Sequence, residues 1–234
     1  MKSEGGSVKS EIKKSEERKG KESKITVLLS GVNERFFSEI SSSVLMTTRN
    51  RYSLGDFPYI FTVGTVQPRK NYVRLIQSLA QLRAKGLDIH LVIAGGKGWL
   101  DNPIYAAIAE THMENFVHFI GFAADEDLPA LYKNAVCLAF PSLYEGFGLP
   151  ILEAMACGVP VLTSNISSLP EVAGDAAIMV DPYDLDTITN GLERLVLDTD
   201  LRASLIQKGL ARAREFTWEK SARQLLGIYQ DLLA

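Results

Sequence analysis

From Pro58 onward the chain alternates short, uninterrupted apolar runs with longer amphipathic ones. YIFTVGTV (59–66), IHLVIAG (89–95), FVHFIG (116–121), VCLAFP (136–141), VPVLTS (159–164) and AIMV (177–180) have strand length. Between the first two, Asn71 opens a helix that carries Tyr72, Leu75, Ile76, Leu79 and Leu82 on one stripe and ends at Gly86. Residues 103–114, 126–134 and 150–157 read as further helices, and 184–234 as helical throughout. Runs that are continuously apolar, rather than alternating, mark strands buried on both faces. Strands alternating with helices mark a parallel sheet. The pattern predicts an α/β fold with a doubly wound, mostly parallel, Rossmann-like sheet over 58–234.

The region before Pro58 breaks this rhythm. ITVLL (25–29) reads as a short β-type run, and 30–56, with Ser41-Ser42-Ser43 in its middle, as irregular chain; together 24–57 form a connector. Residues 1–23 hold, apart from Met1, only Val8 and Ile12 as sizeable apolar side chains. Such a segment buries too little surface to offset its ordering entropy, so a disordered or frayed tail is expected.

Composition adds limits. The 234 residues are 46% hydrophobic and 23% charged, as in ordinary globular proteins. A net charge of −3 gives no support to a general nucleic-acid-binding role. The charge is uneven: residues 1–24 carry eight Lys/Arg against five Glu, which leaves −6 on the remainder. Cys137 and Cys157 sit in apolar stretches and read as buried free thiols, which fits a reducing compartment. No apolar run reaches the ~18 residues of a membrane helix, and the N-terminus lacks the apolar core of a signal peptide. These features lead to the expectation of a cytoplasmic location, peripheral to the membrane through a partner at most.

The chemistry concentrates in PSLYEGFGLPILEAMACGVPV (141–161). A buried strand ends at Pro141, a glycine-rich turn follows at Glu145-Gly146-Phe147-Gly148, and a helix starts with Pro150 near its first position. That arrangement puts unpaired backbone N–H groups at the carboxyl end of the sheet, where open α/β sheets bind ligands and anions are favoured. Gly146 and Gly148 allow a ligand close to the backbone. Glu145 and Glu153, with seven residues between them, can both reach one crevice, and carboxylates suit vicinal hydroxyl pairs. Arg69 and Lys70, just after the first strand of the domain, supply the positive charge a phosphate needs beside two carboxylates. The combination predicts a diphosphate attached to a sugar and a ribose.

E-G-F-G-L-P-I-L-E (145–153) resembles the E-x7-E signature of the retaining GT-B glycosyltransferases, specifically family four. VGTVQPRKN (63–71), AGGKGW (94–99), FIGF (119–122), SSLPEVAGDAA (167–177) and FTWEKSA (216–222) resemble further motifs of that family in the expected order. The resemblance covers about residues 24–234 and is similar to bacterial mannosyltransferases that build surface polysaccharides. It implies the C-terminal, donor-binding half of a GT-B fold. It further implies that Glu145 contacts donor-sugar hydroxyls and Glu153 holds the ribose. Arg69 and Lys70 would bind the diphosphate, assisted by the turn at Gly146 and the backbone N–H groups of Phe147, Gly148 and Leu149, and the loop after 116–121 would meet the base. No metal or other cofactor is implied, because cationic side chains and the helix N-terminus do its work.

The chain departs from the family pattern in two places. Thr65 stands where some relatives carry Arg. KITVLLSGVNERFF (24–37) resembles the family's interdomain segment, but with Ser30 at the asparagine of its Pro-Asn-Gly turn, and the acceptor-binding Rossmann domain expected before it is not found. The resemblance therefore implies hexosyl transfer with retention from a nucleoside diphosphate sugar to a glycan or lipid-linked acceptor, with a separate acceptor-binding half. GDP-mannose is the first donor expected and UDP-sugars the second. A non-catalytic nucleotide-sugar-binding module, or a subunit of a split enzyme, stays open beside it. An NAD-dependent oxidoreductase is disfavoured by the absence of G-x-G-x-x-G after the first strand, and an epimerase shares only the architecture. In two-domain relatives the last helix crosses back onto the other half. Here residues 217–234 carry Trp218, Leu225, Leu226, Ile228, Tyr229, Leu232 and Leu233, more apolar surface than one docking stripe needs. An acceptor-domain protein or a second copy of the chain is the expected partner.

His90, His112 and His118 share no metal-ligand spacing, and His90 and His118 are expected as packing residues on strands. Gly95-Gly96-Lys97-Gly98 is expected as a structural turn between strand and helix, and Glu171 as a helix-start residue.

Overall fold

The computed structural model describes residues 25–233. The tail expected at 1–23 lies outside them. The described residues divide into two compact units, one spanning Ser30–Trp218 and one comprising 25–29 together with 219–233.

In the larger unit a 3-10 turn (Glu34–Phe37) and α1 (Ser42–Arg51) precede β1 (Tyr59–Val63) and α2 (Tyr72–Ala84). There follow β2 (His90–Ala94), α3 (Asn102–Thr111), β3 (Val117–Gly121), α4 (Leu128–Lys133), β4 (Cys137–Phe140) and α5 (Leu149–Ala156). The unit continues with β5 (Val161–Ser164), α6 (Leu169–Ala173), β6 (Ala177–Val180), α7 (Leu185–Leu197) and α8 (Thr199–Ala213). The six strands lie in the order β3-β2-β1-β4-β5-β6, and every pairing is parallel. The expected doubly wound α/β sheet is present.

Its burial explains the uninterrupted apolar runs. Tyr59 and Phe61 of β1 enter a core shared with Tyr132, Phe140 and Leu152 under α4, α5 and α6. Ile60, between them in sequence, enters the opposite core with Leu75, Ile76, Ile93 and Leu192 under α2, α3 and α7. With both faces covered, the central strands β1, β4 and β5 keep no exposed side for a polar alternation.

Several expected boundaries move. The strand expected over 59–66 stops at Val63, because Gly64 turns the chain at φ +142°. The helix expected over 103–114 ends at Thr111, where His112 takes a left-handed conformation. The helical stretch expected over 184–234 is three helices: Asp198 ends α7 and caps α8 by accepting from the Leu201 N–H, and residues 214–217 separate α8 from α9 (Trp218–Leu233). The connector is more ordered than its sequence suggests. Ser41 caps α1, and Arg51 and Tyr52 hold Asp127, at the start of α4, at 2.6 and 2.8 Å. Glu171 lies in the first turn of α6, as expected.

In the smaller unit α9 buries none of its side chains, and Leu226, Tyr229, Leu232 and Leu233 are exposed. The β-type run expected over 25–29 is not a strand. Its carbonyls accept from side chains of α9 instead of from a neighbouring ladder: Gln224 donates to Val27 at 3.1 Å and Ser221 to Leu29. Among the described residues no helix is long and apolar enough to cross a membrane.

Candidate functional site

The chain winds outward from β1 through β2 to β3 and then returns to place β4 on the other side of β1. That reversal opens a crevice at the carboxyl ends of β1 and β4. Arg69 and Lys70 follow β1, Glu145 follows β4, and so residues far apart in sequence meet here.

The loops at this point are stitched together by hydrogen bonds. Beyond β1 the chain makes a 3-10 turn over Pro68–Lys70 and then a left-handed residue, Asn71, at φ 61°. The Asn71 side-chain amide, buried, donates to the carbonyls of Pro141 at 3.0 Å and Pro182 at 2.7 Å, so it joins the loops after β1, β4 and β6. The Leu143 N–H donates to the Arg69 carbonyl at 2.9 Å, and the Arg69 guanidinium to the Tyr144 carbonyl at 2.8 Å. Gly64 makes room for the arrangement. A Cβ at its position would lie 2.6 Å from Lys70 Cε and 2.9 Å from Nζ, and its φ is one that other residues rarely adopt.

At the centre Glu145 takes both cations. Its Oε1 lies 2.7 Å from Lys70 Nζ and its Oε2 2.5 Å from Arg69 Nη1. Lys70 and Glu145 retain only 9% and 11% of their side-chain exposure, against 38% for Arg69. Burial pushes the Glu145 carboxyl up, but the hydrogen bonds and charges of Lys70 and Arg69 outweigh it and hold the group below the ordinary carboxylate value. Burial pulls the Lys70 ammonium below its ordinary value, and Glu145 offsets this only in part. Lys70 Nζ also sits 4.4 Å from the centre of the Phe140 ring, on the strand below.

The turn that carries Glu145 is held from behind. Its N–H donates to Ser167 Oγ at 3.0 Å, its carbonyl accepts from Ser167 at 2.6 Å, and Ser168 Oγ lies 2.9 Å from the Phe147 carbonyl. Gly148, at φ +115°, precedes α5, and a Cβ there would meet Leu169 at 2.9 Å. A Cβ on Gly146 would meet nothing, so packing does not demand glycine there. Pro150 lies in the first turn of α5 and no side chain caps the helix. Among the described residues the N–H groups of Gly148 and Leu149 have no acceptor, the usual state of an uncapped helix start. The Phe147 ring packs at 6.0 Å against Phe216 and belongs to the core.

Glu153, one turn into α5, occupies a different environment. It is half-buried and accepts from the Tyr132 hydroxyl at 2.8 Å. Burial raises its pKa, and the Tyr132 hydrogen bond only partly counters that. The two glutamates are thus pushed in opposite directions. Beside the charge cluster, at the ends of β1, β2 and β3, lies a cavity of about 220 Å³ lined by Gly64, Thr65, Gly95, Gly96, Phe122 and Asp125, among others. The Gly95–Gly98 stretch is a structural turn, as expected: Gly95 donates to Gly121 at 2.7 Å, and Val66 to Gly96 at 3.0 Å. Its first two glycines also form part of the cavity wall.

The structure therefore joins Arg69, Lys70 and Glu145 directly, sets the Gly146–Leu149 turn beside them and keeps Glu153 apart on Tyr132. The sequence marks Asn71 only as the start of a helix, whose N-terminus its side chain does not cap, and assigns no role to Ser167, Ser168 or Tyr132. The SSLPE stretch carries the serines, but nothing in it signals that their hydroxyls grip a distant turn.

The chain matches the family described as "Glycosyl transferases group 1" over residues 47–212. It is 40% identical over 183 residues to the O-antigen chain mannosyltransferase B of Escherichia coli, covering 78% of this chain and 48% of that protein. It spans, then, about half the length of this curated relative. Among solved structures, Anabaena Alr3699/HepE in complex with UDP and glucose aligns with a TM-score of 0.78 at 22% identity, over 88% of this chain and 56% of that one. The C-terminal domain of the group 1 glycosyl transferase LpcC from Francisella tularensis aligns with a TM-score of 0.66 at 24% identity, over 79% of this chain and 97% of that one. These neighbours share the GT-B type of fold.

Proposed function

Because the chain belongs to the group 1 glycosyl transferases, we propose that its crevice binds a nucleoside diphosphate sugar as the donor for hexosyl transfer with retention. The observation that carries this reading is the convergence of Arg69 and Lys70 on one point, 2.5 and 2.7 Å from a shared carboxylate, beside an uncapped helix start. Cations and free N–H groups aimed at one place form a diphosphate site. The same groups stabilise negative charge that develops on the departing diphosphate, which is how a preorganised site lowers a barrier. No metal is needed for that step in this reading.

The remaining roles are those the family resemblance implies, set against this geometry. The base enters the 220 Å³ cavity at the ends of β1, β2 and β3. Glu153, held by Tyr132, accepts from the ribose hydroxyls. Glu145 accepts from hydroxyls of the sugar. The open space beside Gly146 is available to that sugar. Similarity to a mannosyltransferase favours GDP-mannose as donor. The acceptor is a glycan or a lipid-linked acceptor, held by an acceptor-binding half that lies outside residues 24–234.

The test is calorimetric titration of the chain with GDP, UDP, ADP and their sugar conjugates, with EDTA present. Binding of at least one diphosphate, undiminished by EDTA, is expected. No heat of binding with any of them, by a folded protein, would overturn the reading.

A further inference from the structure

Arg69 and Lys70 share a partner, and it is a carboxylate of the site itself. Each Glu145 oxygen takes one cation, Lys70 at 2.7 Å and Arg69 at 2.5 Å. Little of the Lys70 side chain is open to solvent, and its ammonium donates to Glu145. An entering diphosphate needs the same hydrogen bonds, and an ammonium and a guanidinium cannot serve a carboxylate and a phosphate at full strength together. A carboxylate stripped of its cations at 11% exposure is costly unless another donor replaces them.

Resting on the donor-site reading above, we infer that Glu145 is a resident counter-ion which a nucleoside diphosphate must displace from Lys70 and Arg69, and which regains partners only when the ligand carries a sugar. Hydroxyls of the sugar donate to the freed carboxylate and complete the exchange. The hydroxyls of a free nucleoside diphosphate are those of its ribose, which this reading gives to Glu153, so it offers Glu145 no such donor. It is opposed by a carboxylate that competes for both cations, so the product of transfer is held less tightly than its phosphates alone would allow. Glu145 then sets the discrimination between donor and product as well as touching the sugar. The loop can support the exchange without moving, because its backbone is held independently by Ser167 and Ser168.

A role confined to the sugar makes a different forecast. It leaves nucleoside diphosphate affinity unchanged in Glu145→Gln, whereas counter-ion exchange raises it. Calorimetry on the wild type and Glu145→Gln, with inorganic pyrophosphate, UDP, GDP and the two sugar conjugates, separates them. Pyrophosphate and whichever nucleoside diphosphate the wild type prefers should bind the variant about tenfold tighter, the low end of what one charge-assisted hydrogen bond is worth. The sugar conjugate should bind it no tighter, so the preference for donor over product collapses. Unchanged or weaker diphosphate affinity in a variant that keeps its melting temperature would overturn the inference and leave the donor site standing. Equal tightening of diphosphate and sugar conjugate would overturn it too, since the carboxylate would then merely repel anions. A wild type that binds no nucleotide removes the donor-site reading and this inference together. Should Glu145→Gln not fold, Glu145→Ala with the same ligands gives the same decision.

Discussion

The two ends of the sheet each gather titratable side chains, aromatic rings and a cation, yet they do opposite things with them. At the amino end His90 of β2 and His118 of β3 share a hydrogen bond between Nδ1 and Nε2 at 2.9 Å. Phe57 stacks on both rings at 3.8 and 4.8 Å, and the Arg83 guanidinium lies 3.4 Å from the centre of the Phe116 ring. These groups take one another as partners. At the carboxyl end Lys70, Arg69 and Glu145 also satisfy one another, but through contacts that an entering anion can replace, next to a cavity and an uncapped helix start. Clusters of this kind are told apart less by composition than by whether their partners can be exchanged.

The largest expected effect breaks the carboxyl end. Replacing Arg69 and Lys70 together by Ala should abolish measurable nucleoside diphosphate binding, since each charge-assisted hydrogen bond is worth ~1.5–3 kcal/mol. Calorimetry checks it, with circular dichroism to show that the fold persists; unchanged affinity in a folded double variant contradicts the site.

A smaller effect sharpens the contrast between the glutamates. Glu153→Gln keeps an acceptor for Tyr132 and removes a charge that burial disfavours. Its melting temperature should therefore hold or rise, while affinity for nucleoside diphosphate falls by several-fold through the ribose. A variant that loses stability and binds as before would mean that Glu153 serves only the core.

The smallest effect belongs to the amino end. Burial holds His90 and His118 below the ordinary histidine value of 6.5. The folded state therefore binds protons less readily than the unfolded chain. The pair's contribution to stability is complete above pH 6.5 and is lost as pH falls below it. In His118→Phe, the drop in melting temperature between pH 7 and pH 5 should shrink, with nucleotide affinity at pH 7 unchanged. An identical acid dependence in wild type and variant would show that other groups govern it.

How much of this was legible in the sequence follows from where the determinants lie. Uninterrupted runs such as YIFTV and CLAF announce strands covered on both sides, and the core bears that out. ITVLL has the same composition and forms no strand, because β propensity is expressed only against a partner and its carbonyls are taken by Ser221 and Gln224. The interruption of the last helical stretch at Asp198 depends on a cap that a periodic pattern does not display. Arg69, Lys70 and Glu145 could be named from sequence because each lies in the loop that follows a strand, and the two strands are neighbours at the reversal of the sheet order. Their direct ion pairing could not, since it depends on the room Gly64 leaves for Lys70. The Tyr132–Glu153 contact joins two separate helices and has no local signature.

Asn71 has a consequence for spectroscopy. Both protons of its side-chain amide are engaged, one for each of two buried carbonyls, and its oxygen accepts from Arg74 at 3.0 Å. Rotation about that amide bond is blocked, and its protons are shielded from solvent. In a nitrogen-15 correlation spectrum the pair should stand apart from the surface asparagines, as two well-separated lines that persist in deuterated solvent. Since the group bears no charge and touches three loops at once, its lines would report whether those loops keep their junction while the charges beside it change partners.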